Sequence, residues 1–211
     1  MAWAATNGQR VVCVTATRGE AGSQDELRWP SHQLGQVRTK EMADALNCYG
    51  ITEHHWLDYP DGGCAQLDEA EPVGRIAELI EQIRPDTVLT FGSEGITGHT
   101  DHQAVCRWTH QALKQTGHGA IVLHPVIAEE QFKSHYKIVD EKINMFFAID
   151  EPPTKPAKDC DVCIDLPEDI LHRKHEAISK MPSQTAVMLD AFDKEFLEGM
   201  LSTECLVRCR A

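Results

Sequence analysis

The feature that most constrains the fold is the alternation of short, β-branched apolar runs with longer segments of helical periodicity. Residues 10–16 and 87–91 are two such runs, and each has the length of a buried strand. In residues 73–83 the apolar positions recur at three and four, as on one face of a helix. Strand, helix, strand, helix in this order predicts right-handed βαβ units, so the expected class is α/β.

The same patterns place the other elements. Further strands are expected at 54–58, 121–123, 143–149 and 162–165, further helices at 36–49, 103–114, 167–180 and 185–201, and an irregular proline-rich connector at 151–158.

Composition argues for one domain over residues 1–211. The chain is 42% hydrophobic, which suffices for one core, and its net charge of −13 is carried without any basic run, so nucleic acid is not an expected partner. The first ten residues are too polar for a signal peptide, and no apolar stretch has the length of a membrane span. We therefore expect a cytoplasmic protein, with homo-oligomerisation left open.

Eight cysteines, at positions 13, 48, 64, 106, 160, 163, 205 and 209, lie mostly in apolar segments. We expect them to be reduced, because the chain lacks the loop-rich character of a disulfide scaffold. A four-thiolate zinc site built from 160–163 and 205–209 is the less favoured alternative, since the second pair has an unusual spacing.

The strongest chemical signal is Gly98-His99-Thr100-Asp101-His102, directly after the apolar run at 87–91. It places two imidazoles and a carboxylate at the carboxyl end of a buried strand, where open α/β folds carry their chemistry. Two interpretations stay open at this point. The motif is either a metal or acid–base site, or a polar loop in which Asp101 caps the following helix.

Five pieces of sequence, in their order along the chain, resemble the zinc-dependent LmbE-like, or PIG-L, de-N-acetylase family. They are Thr-Arg-Gly-Glu-Ala-Gly at 17–22, Arg-Thr-Lys-Glu at 38–41, Asp-Tyr-Pro-Asp-Gly-Gly at 58–63, Arg-Pro-Asp at 84–86, and the histidine motif at 98–102. The resemblance implies a Rossmann-like, three-layer α/β/α fold with a mostly parallel sheet.

The resemblance also implies roles for the histidine motif. His102 matches the family's zinc ligand, and His99 matches the catalytic histidine that, as a cation, stabilises the oxyanion formed from the amide. Asp101 matches the carboxylate that orients His99. With Zn²⁺ as cofactor, the implied reaction is hydrolysis of the N-acetyl group of an N-acetylglucosamine-type small-molecule conjugate.

Two further residues match substrate contacts of the family. Arg38 matches an arginine that contacts substrate, and an ion pair with Glu41 on the same helix remains an alternative. Asp61 matches a carboxylate that binds sugar hydroxyls, and a turn role before two glycines is also consistent with its position.

The chain departs from the family pattern at the first strand. The family's His-Pro-Asp-Asp motif, which supplies the other zinc ligands and the general base, does not occur in this sequence. We therefore expect a sheet that lacks its first strand, with two unpaired edges, and a single zinc site that is incomplete in this chain. Residues 1–5 resemble the tail of the helix that follows that strand, which suggests that Met1 is a late start.

A second hypothesis follows from this departure. The chain is then a catalytically inactive remnant of the fold, or a module that binds a sugar conjugate without a complete metal site. The remaining histidines, including His110 and His124, show no ligand spacing and are assigned to the surface or the core.

Overall fold

The computed structural model describes residues 1–209 as a mixed α/β chain. Its strands are β1 (Val12–Thr17), β2 (Glu53–Tyr59), β3 (Thr87–Leu89), β4 (Ile121–Ala128), β5 (Thr154–Lys155), β6 (Val162–Asp165) and β7 (Thr203–Cys209). Its α-helices are α1 (Ala2–Thr6), α2 (Ser31–Cys48), α3 (Ala70–Ile83), α4 (Gly95–Gly98), α5 (Thr100–Thr116), α6 (Glu129–Gln131), α7 (Lys137–Ile143), α8 (Glu168–Ser179), α9 (Pro182–Ala191) and α10 (Lys194–Leu201).

The first of two structural units comprises Met1–Asp61 and Asp165–Ser202. Strands β1 and β2 pair in parallel, from Val12 opposite Glu53 to Thr17 opposite Tyr59. Helix α8 packs against α1, α2, α9 and α10. This unit buries apolar side chains from several of these helices, including Leu34, Ala177 and Leu197, because each helix turns one apolar face inward.

The second unit comprises Gly62–Ile164 and the chain from Thr203. Its sheet has the order β3-β4-β7-β6, and β5 also pairs with β4. Strands β3 and β5 run parallel to β4, whereas β7 is antiparallel to it. Helices α3 and α5 pack together, and α5 contributes the fully buried Trp108.

Both sheets have an open edge within residues 1–209. In this part of the chain, β1 pairs with β2 alone and β3 pairs with β4 alone. Within the same residues, β2 and β6 also pair on one side only, so each sheet has two unpaired edges. The absence of a first strand stays a prediction.

The expected βαβ alternation up to residue 128 is confirmed, but the prediction of a strand at 143–149 is wrong. Helix α7 extends to Ile143, and Asn144 closes it in the left-handed conformation at φ 53°. The Asp140 carboxylate then accepts a hydrogen bond from the Phe146 N–H at 2.7 Å, which fixes a turn. Polar side chains that hold a turn in this way outweigh the β propensity of a short apolar run.

Two other predictions for the carboxyl-terminal third also need correction. The connector at 151–158 contains β5, whose Thr154 lies opposite Ile127 of β4. The helix expected at 185–201 is two helices, because Asp193 caps α10 by accepting a hydrogen bond from the Phe196 N–H at 2.8 Å. Strand β7 was not expected, since its antiparallel pairing with β4 is a long-range contact.

The expectation that all cysteines are reduced is wrong for one pair. Cys163 on β6 and Cys205 on β7 form a disulfide, with Cα atoms 4.1 Å apart. The two strands are neighbours in the sheet. The sequence does not reveal this pairing, because the two cysteines are 42 positions apart in the chain. The disulfide takes one cysteine from each pair of the four-thiolate alternative and so excludes that site. Within residues 1–209, no helix has both the length and the apolar character needed to cross a membrane.

Candidate functional site

The loop between β3 and α5 is built from unusual backbone. Gly95 and Gly98 have φ values of 75° and 77°, and Ile96 lies in the same left-handed region at 62°. A Cβ atom on Gly98 would collide with the carbonyl of Ala148. Only glycine fits at this position, and backbone strain of this kind clusters at functional sites.

His99 caps the amino terminus of α5. Its Nδ1 accepts a hydrogen bond from the Asp101 N–H at 3.2 Å. Because Nδ1 accepts in this hydrogen bond, Nε2 is the ring nitrogen that can donate an N–H to another group. His99 thus presents its Nε2–H as a donor at the start of α5.

His102 lies in the first turn of α5 with its ring held from two sides. Its Nδ1 donates to the Gly95 carbonyl at 2.9 Å, and the ring stacks on Phe91 with centroids 4.1 Å apart. The proton on Nδ1 leaves the lone pair on Nε2, which is the state of an imidazole that ligates a metal. The rings of His99 and His102 are 5.2 Å apart.

Asp101 is buried, and its carboxylate holds a neighbouring loop. One oxygen accepts from the Gly62 N–H at 2.7 Å and the other from the Cys64 N–H at 3.1 Å. The hydrogen bond between Asp101 and His99 involves the main-chain N–H of Asp101. The side-chain cap of α5 therefore comes from His99, and the alternative in which Asp101 caps this helix is wrong.

Arg38, in the first unit, is buried and holds the loop at 17–22. Its guanidinium donates to the carbonyls of Gly19 and Gly22, the latter at 2.7 Å, and to the Ser183 hydroxyl at 3.3 Å. Burial lowers the pKa of Arg38, and the nearby carboxylate of Asp61 opposes that shift. Most of the donors of Arg38 are thus engaged by the protein itself.

Asp61 follows β2 and holds the same loop from the other side. Its carboxylate accepts from the Thr17 hydroxyl at 3.2 Å and from the Ala21 N–H at 3.0 Å. Its own N–H donates to Glu20 Oε1 at 2.9 Å. Glu20 Oε2 is buried and has no hydrogen-bond partner within the described residues.

Glu41, the alternative partner of Arg38, belongs to a buried connection that the sequence did not show. It accepts from the Ser183 N–H at 2.9 Å and from the Ser183 hydroxyl at 2.6 Å. Ser183 is fully buried, and this contact ties α2 to the start of α9. The residues are 142 positions apart, and no local pattern links them.

The described residues do not complete a metal site at His102. Zinc sites use three or four protein ligands. Among residues 1–209, the ligand atoms of only one group of three or more His, Cys, Asp and Glu residues converge, and that group is Cys106, His110 and His124. The zinc implied by the family therefore finds one suitable imidazole at His102 and no full ligand set there within this part of the chain.

This convergence corrects the assignment of His110 and His124 as histidines without a partner. Their Nε2 atoms are 3.0 Å apart. One signal was present in the sequence, because Cys106 and His110 are four residues apart on a helix and so share a face. Nothing local indicated that His124, on β4, would join them.

Residues 1–113 match the family described as PIG-L: GlcNAc-PI de-N-acetylase. A relative from Kineococcus radiotolerans, a 1D-myo-inositol 2-acetamido-2-deoxy-alpha-D-glucopyranoside deacetylase, is 32% identical over 141 residues, which are 54% of this chain and 39% of the relative. The matched region spans less than half of the length of this relative and of a second one.

Two solved structures illustrate the similarity in fold. A zinc-inhibited form of teicoplanin deacetylase Orf2 has a TM-score of 0.59 at 17% identity, covering 99% of this chain and 91% of that one. GalB, the 4-carboxy-2-hydroxymuconate hydratase of Pseudomonas putida KT2440, has a TM-score of 0.61 at 13% identity, covering 100% and 88%. At these identities the similarity shows the fold alone. Because the family match covers more than half of the chain, and the fold and the order of its motifs agree with it, this protein belongs to the PIG-L, or LmbE-like, family.

Proposed function

We propose that this chain is a metal-dependent hydrolase that removes the acetyl group from an N-acetylglucosamine-type small-molecule conjugate. The observation that carries the proposal is the arrangement at the start of α5. There His99 presents an Nε2–H donor, and His102 directs its proton to the Gly95 carbonyl and keeps a lone pair on Nε2. The family match and the deacetylase relatives support the same reaction.

His99 is the proposed catalytic residue. Hydrolysis of an amide places negative charge on the acetyl oxygen, and a fixed N–H donor stabilises that charge because it needs no reorganisation during the reaction. The amino-terminal end of α5, where His99 lies, adds the positive end of the helix dipole. The donor in this role is the Nε2–H, because Nδ1 is occupied by the Asp101 N–H.

His102 is the proposed metal ligand, with Zn²⁺ as the expected ion. A bound zinc ion would acidify a water molecule so that it can attack the amide. The chain's own contribution is to orient the imidazole, through the Gly95 carbonyl and the face of Phe91. Such outer contacts fix the tautomer that binds metal.

The roles proposed for the remaining residues follow from their contacts. Asp101 is a positioning residue, because its carboxylate holds the loop at 62–64 and its main chain fixes Nδ1 of His99. Arg38 and Asp61 are proposed to act on substrate binding through the loop at 17–22, which both side chains hold.

A module that binds the sugar conjugate without hydrolysing it is the second candidate. One observation favours it, namely that the three converging ligands within residues 1–209 do not include His102. A single imidazole holds zinc weakly. The two candidates predict the same ligand class but different products.

Acetate release separates the candidates. The 211-residue chain is incubated with Zn²⁺ and the GlcNAc-inositol conjugate named for the relatives, and acetate and ligand binding are measured in parallel. We expect acetate release that falls at least about 100-fold in His99→Gln, the usual cost of losing an oxyanion donor. His102→Gln should lower the metal-dependent rate, and His172→Gln, at an exposed position on α8, should match the unmodified protein.

Each outcome has a defined meaning. Binding of the conjugate without acetate release favours the binding module. If the conjugate does not bind and no acetate is released, both candidates are contradicted. Activity that persists in His99→Gln contradicts the role assigned to that residue.

A further inference from the structure

We propose that Cys106, His110 and His124 form a second metal site, suited to Zn²⁺ and separate from His102. The proposal does not depend on the hydrolase activity. It rests on the convergence of one thiol and two imidazoles in the second unit, on residues that the sequence motifs and the family resemblance leave without a role.

Two adjacent elements bring the three side chains together. Cys106 and His110 are one turn apart on α5 and therefore lie on the same face of that helix. His124 lies on β4. The ligand atoms of the three residues are all within 4.8 Å of one another, Cys106 is buried, and both histidines are half-buried.

The separations are close to those of a coordinated ion. With Zn–N of about 2.0 Å and Zn–S of about 2.3 Å, two ligand atoms of a tetrahedral site lie roughly 3.3–3.5 Å apart. The Nε2 atoms of His110 and His124 are already 3.0 Å apart, with their rings edge to face. Side-chain rotations that close the remaining separation, which is at most 4.8 Å, would place all three donors around one ion.

The donor set selects the class of metal. One thiolate and two imidazoles suit Zn²⁺ and its spectroscopic substitute Co²⁺, whereas Mg²⁺ and Ca²⁺ prefer oxygen ligands. Three protein ligands leave a fourth position for water. The charge of Glu94 raises the pKa of Cys106 and opposes the lowering of the His124 pKa, and this negative charge would offset part of the net positive charge of a zinc ion bound to one thiolate.

Binding has a defined proton balance. Without metal, one proton lies between the Nε2 atoms of His110 and His124, because one of the two must donate to the other. Coordination removes the proton of the Cys106 thiol, whereas the donating imidazole stays neutral and carries its proton on Nδ1 instead of Nε2. One proton is therefore released for each ion bound, and no oxidant or reductant is required.

The site is distinct from His102 but shares its helix. Four residues of α-helix rise about 6 Å, so Cys106 lies about 6 Å and His110 about 12 Å from His102 along the axis of α5. An ion held by α5 and β4 would fix the helix that His99 caps. We therefore infer that this metal is structural and holds the catalytic helix on its sheet.

Cobalt absorption tests the site directly. The full chain, free of metal and kept anaerobic without reductant, is titrated with Co²⁺. A sulfur-to-cobalt charge-transfer band with the intense visible bands of tetrahedral Co²⁺ is expected. Cys106→Ser should abolish the charge-transfer band. His110→Gln and His124→Gln should each weaken the affinity for Co²⁺ at least about tenfold, because even the loss of a group that only orients a metal ligand has an effect of this size.

Three controls keep the result interpretable. Cys48→Ser changes a thiol on α2 and His172→Gln changes an exposed histidine, and both should leave the spectrum unchanged. His102→Gln should also keep the band, which separates this site from the hydrolase proposal. Circular dichroism of each variant confirms that it has folded.

A second readout is the melting temperature. Zn²⁺ should raise the melting temperature of the unmodified chain but not that of Cys106→Ser, because an ion that binds only the folded state stabilises the folded state. If the charge-transfer band is missing from the unmodified chain, or persists in folded Cys106→Ser, the proposal is overturned. His110 and His124 would then form only a hydrogen-bonded pair beside a core thiol. That result would leave the acetate assay unaffected.

Discussion

Replacing Asp101 tests whether one buried carboxylate holds the loop beside the histidine motif. The side chain is only 5% exposed, and each oxygen accepts one main-chain N–H, from Gly62 and from Cys64. A hydrogen bond to a charged group contributes about 1.5–3 kcal/mol, and a buried N–H left without a partner is destabilising. Asp101→Ala should therefore lower the free energy of unfolding by about 3–5 kcal/mol.

Asp101→Asn should cost less than the alanine variant. Its amide oxygen can accept from one N–H while its NH₂ group faces the other, so about 1.5–3 kcal/mol is expected from the loss of one charged hydrogen bond. Thr100→Ala, at the exposed first position of α5, is the matched control and should stay within about 0.5 kcal/mol of the unmodified chain.

Urea denaturation measures these free energies, and amide hydrogen exchange locates their origin. In both variants of Asp101, exchange at Gly62 and Cys64 should accelerate before exchange elsewhere in the second unit. If Asp101→Ala unfolds within about 0.5 kcal/mol of the unmodified chain, or if both amides keep their protection, the carboxylate does not hold this loop.

Three further predictions concern other parts of the fold. Ser183→Ala removes the hydroxyl that donates to the buried Glu41 carboxylate and accepts from Arg38, and it should destabilise the chain by about 2–3 kcal/mol in urea. Ser179→Ala, at an exposed position of α8, should be neutral, and equal effects of the two substitutions would contradict the role of this network. Gly98→Ala and Gly117→Ala both place alanine at positive φ, but only the new Cβ at position 98 collides with main chain. The melting temperature of Gly98→Ala should therefore fall well below that of Gly117→Ala, which should lower the free energy of unfolding by about 1 kcal/mol. The arginine and glutamine that hydrogen-bond to Glu69 lower the pKa of its carboxyl group. The contribution of Glu69 to stability is therefore complete above the ordinary glutamate pKa of about 4.3 and is lost as the pH falls through the lower folded pKa. Glu69→Gln should be less stable than the unmodified chain at pH 7 and equally stable at strongly acidic pH, and a constant difference across this range would refute the coupling.

Local patterns in the sequence predicted much of the second unit up to residue 128. The apolar run at 87–91 became β3, and the spacing of three and four in residues 73–83 became α3, because both features depend on which neighbouring side chains share a face. The antiparallel strand β7 and the disulfide between Cys163 and Cys205 escaped prediction. Both depend on strands that are distant in the chain.

The sequence predicted which residues form the histidine motif but not the contacts that they make. The sequence indicated that His99, Asp101 and His102 lie together, since they occupy one loop and the first turn of one helix. It did not indicate that His99 rather than Asp101 caps the helix, or that the Asp101 carboxylate holds Gly62 and Cys64. These choices depend on the left-handed backbone of the loop and on which buried N–H groups lacked a partner.

The sequence by itself determined the class of this protein: its α/β alternation, its family, and the imidazoles of the candidate active site. Each of these follows from residues close together in the chain, where side-chain periodicity and motif spacing act directly. Only the tertiary structure decided that Arg38 and Asp61 hold one loop, that Glu41 meets Ser183, and that His124 joins Cys106 and His110. Those contacts join distant segments, and their geometry is set by how helices and strands pack rather than by any local preference.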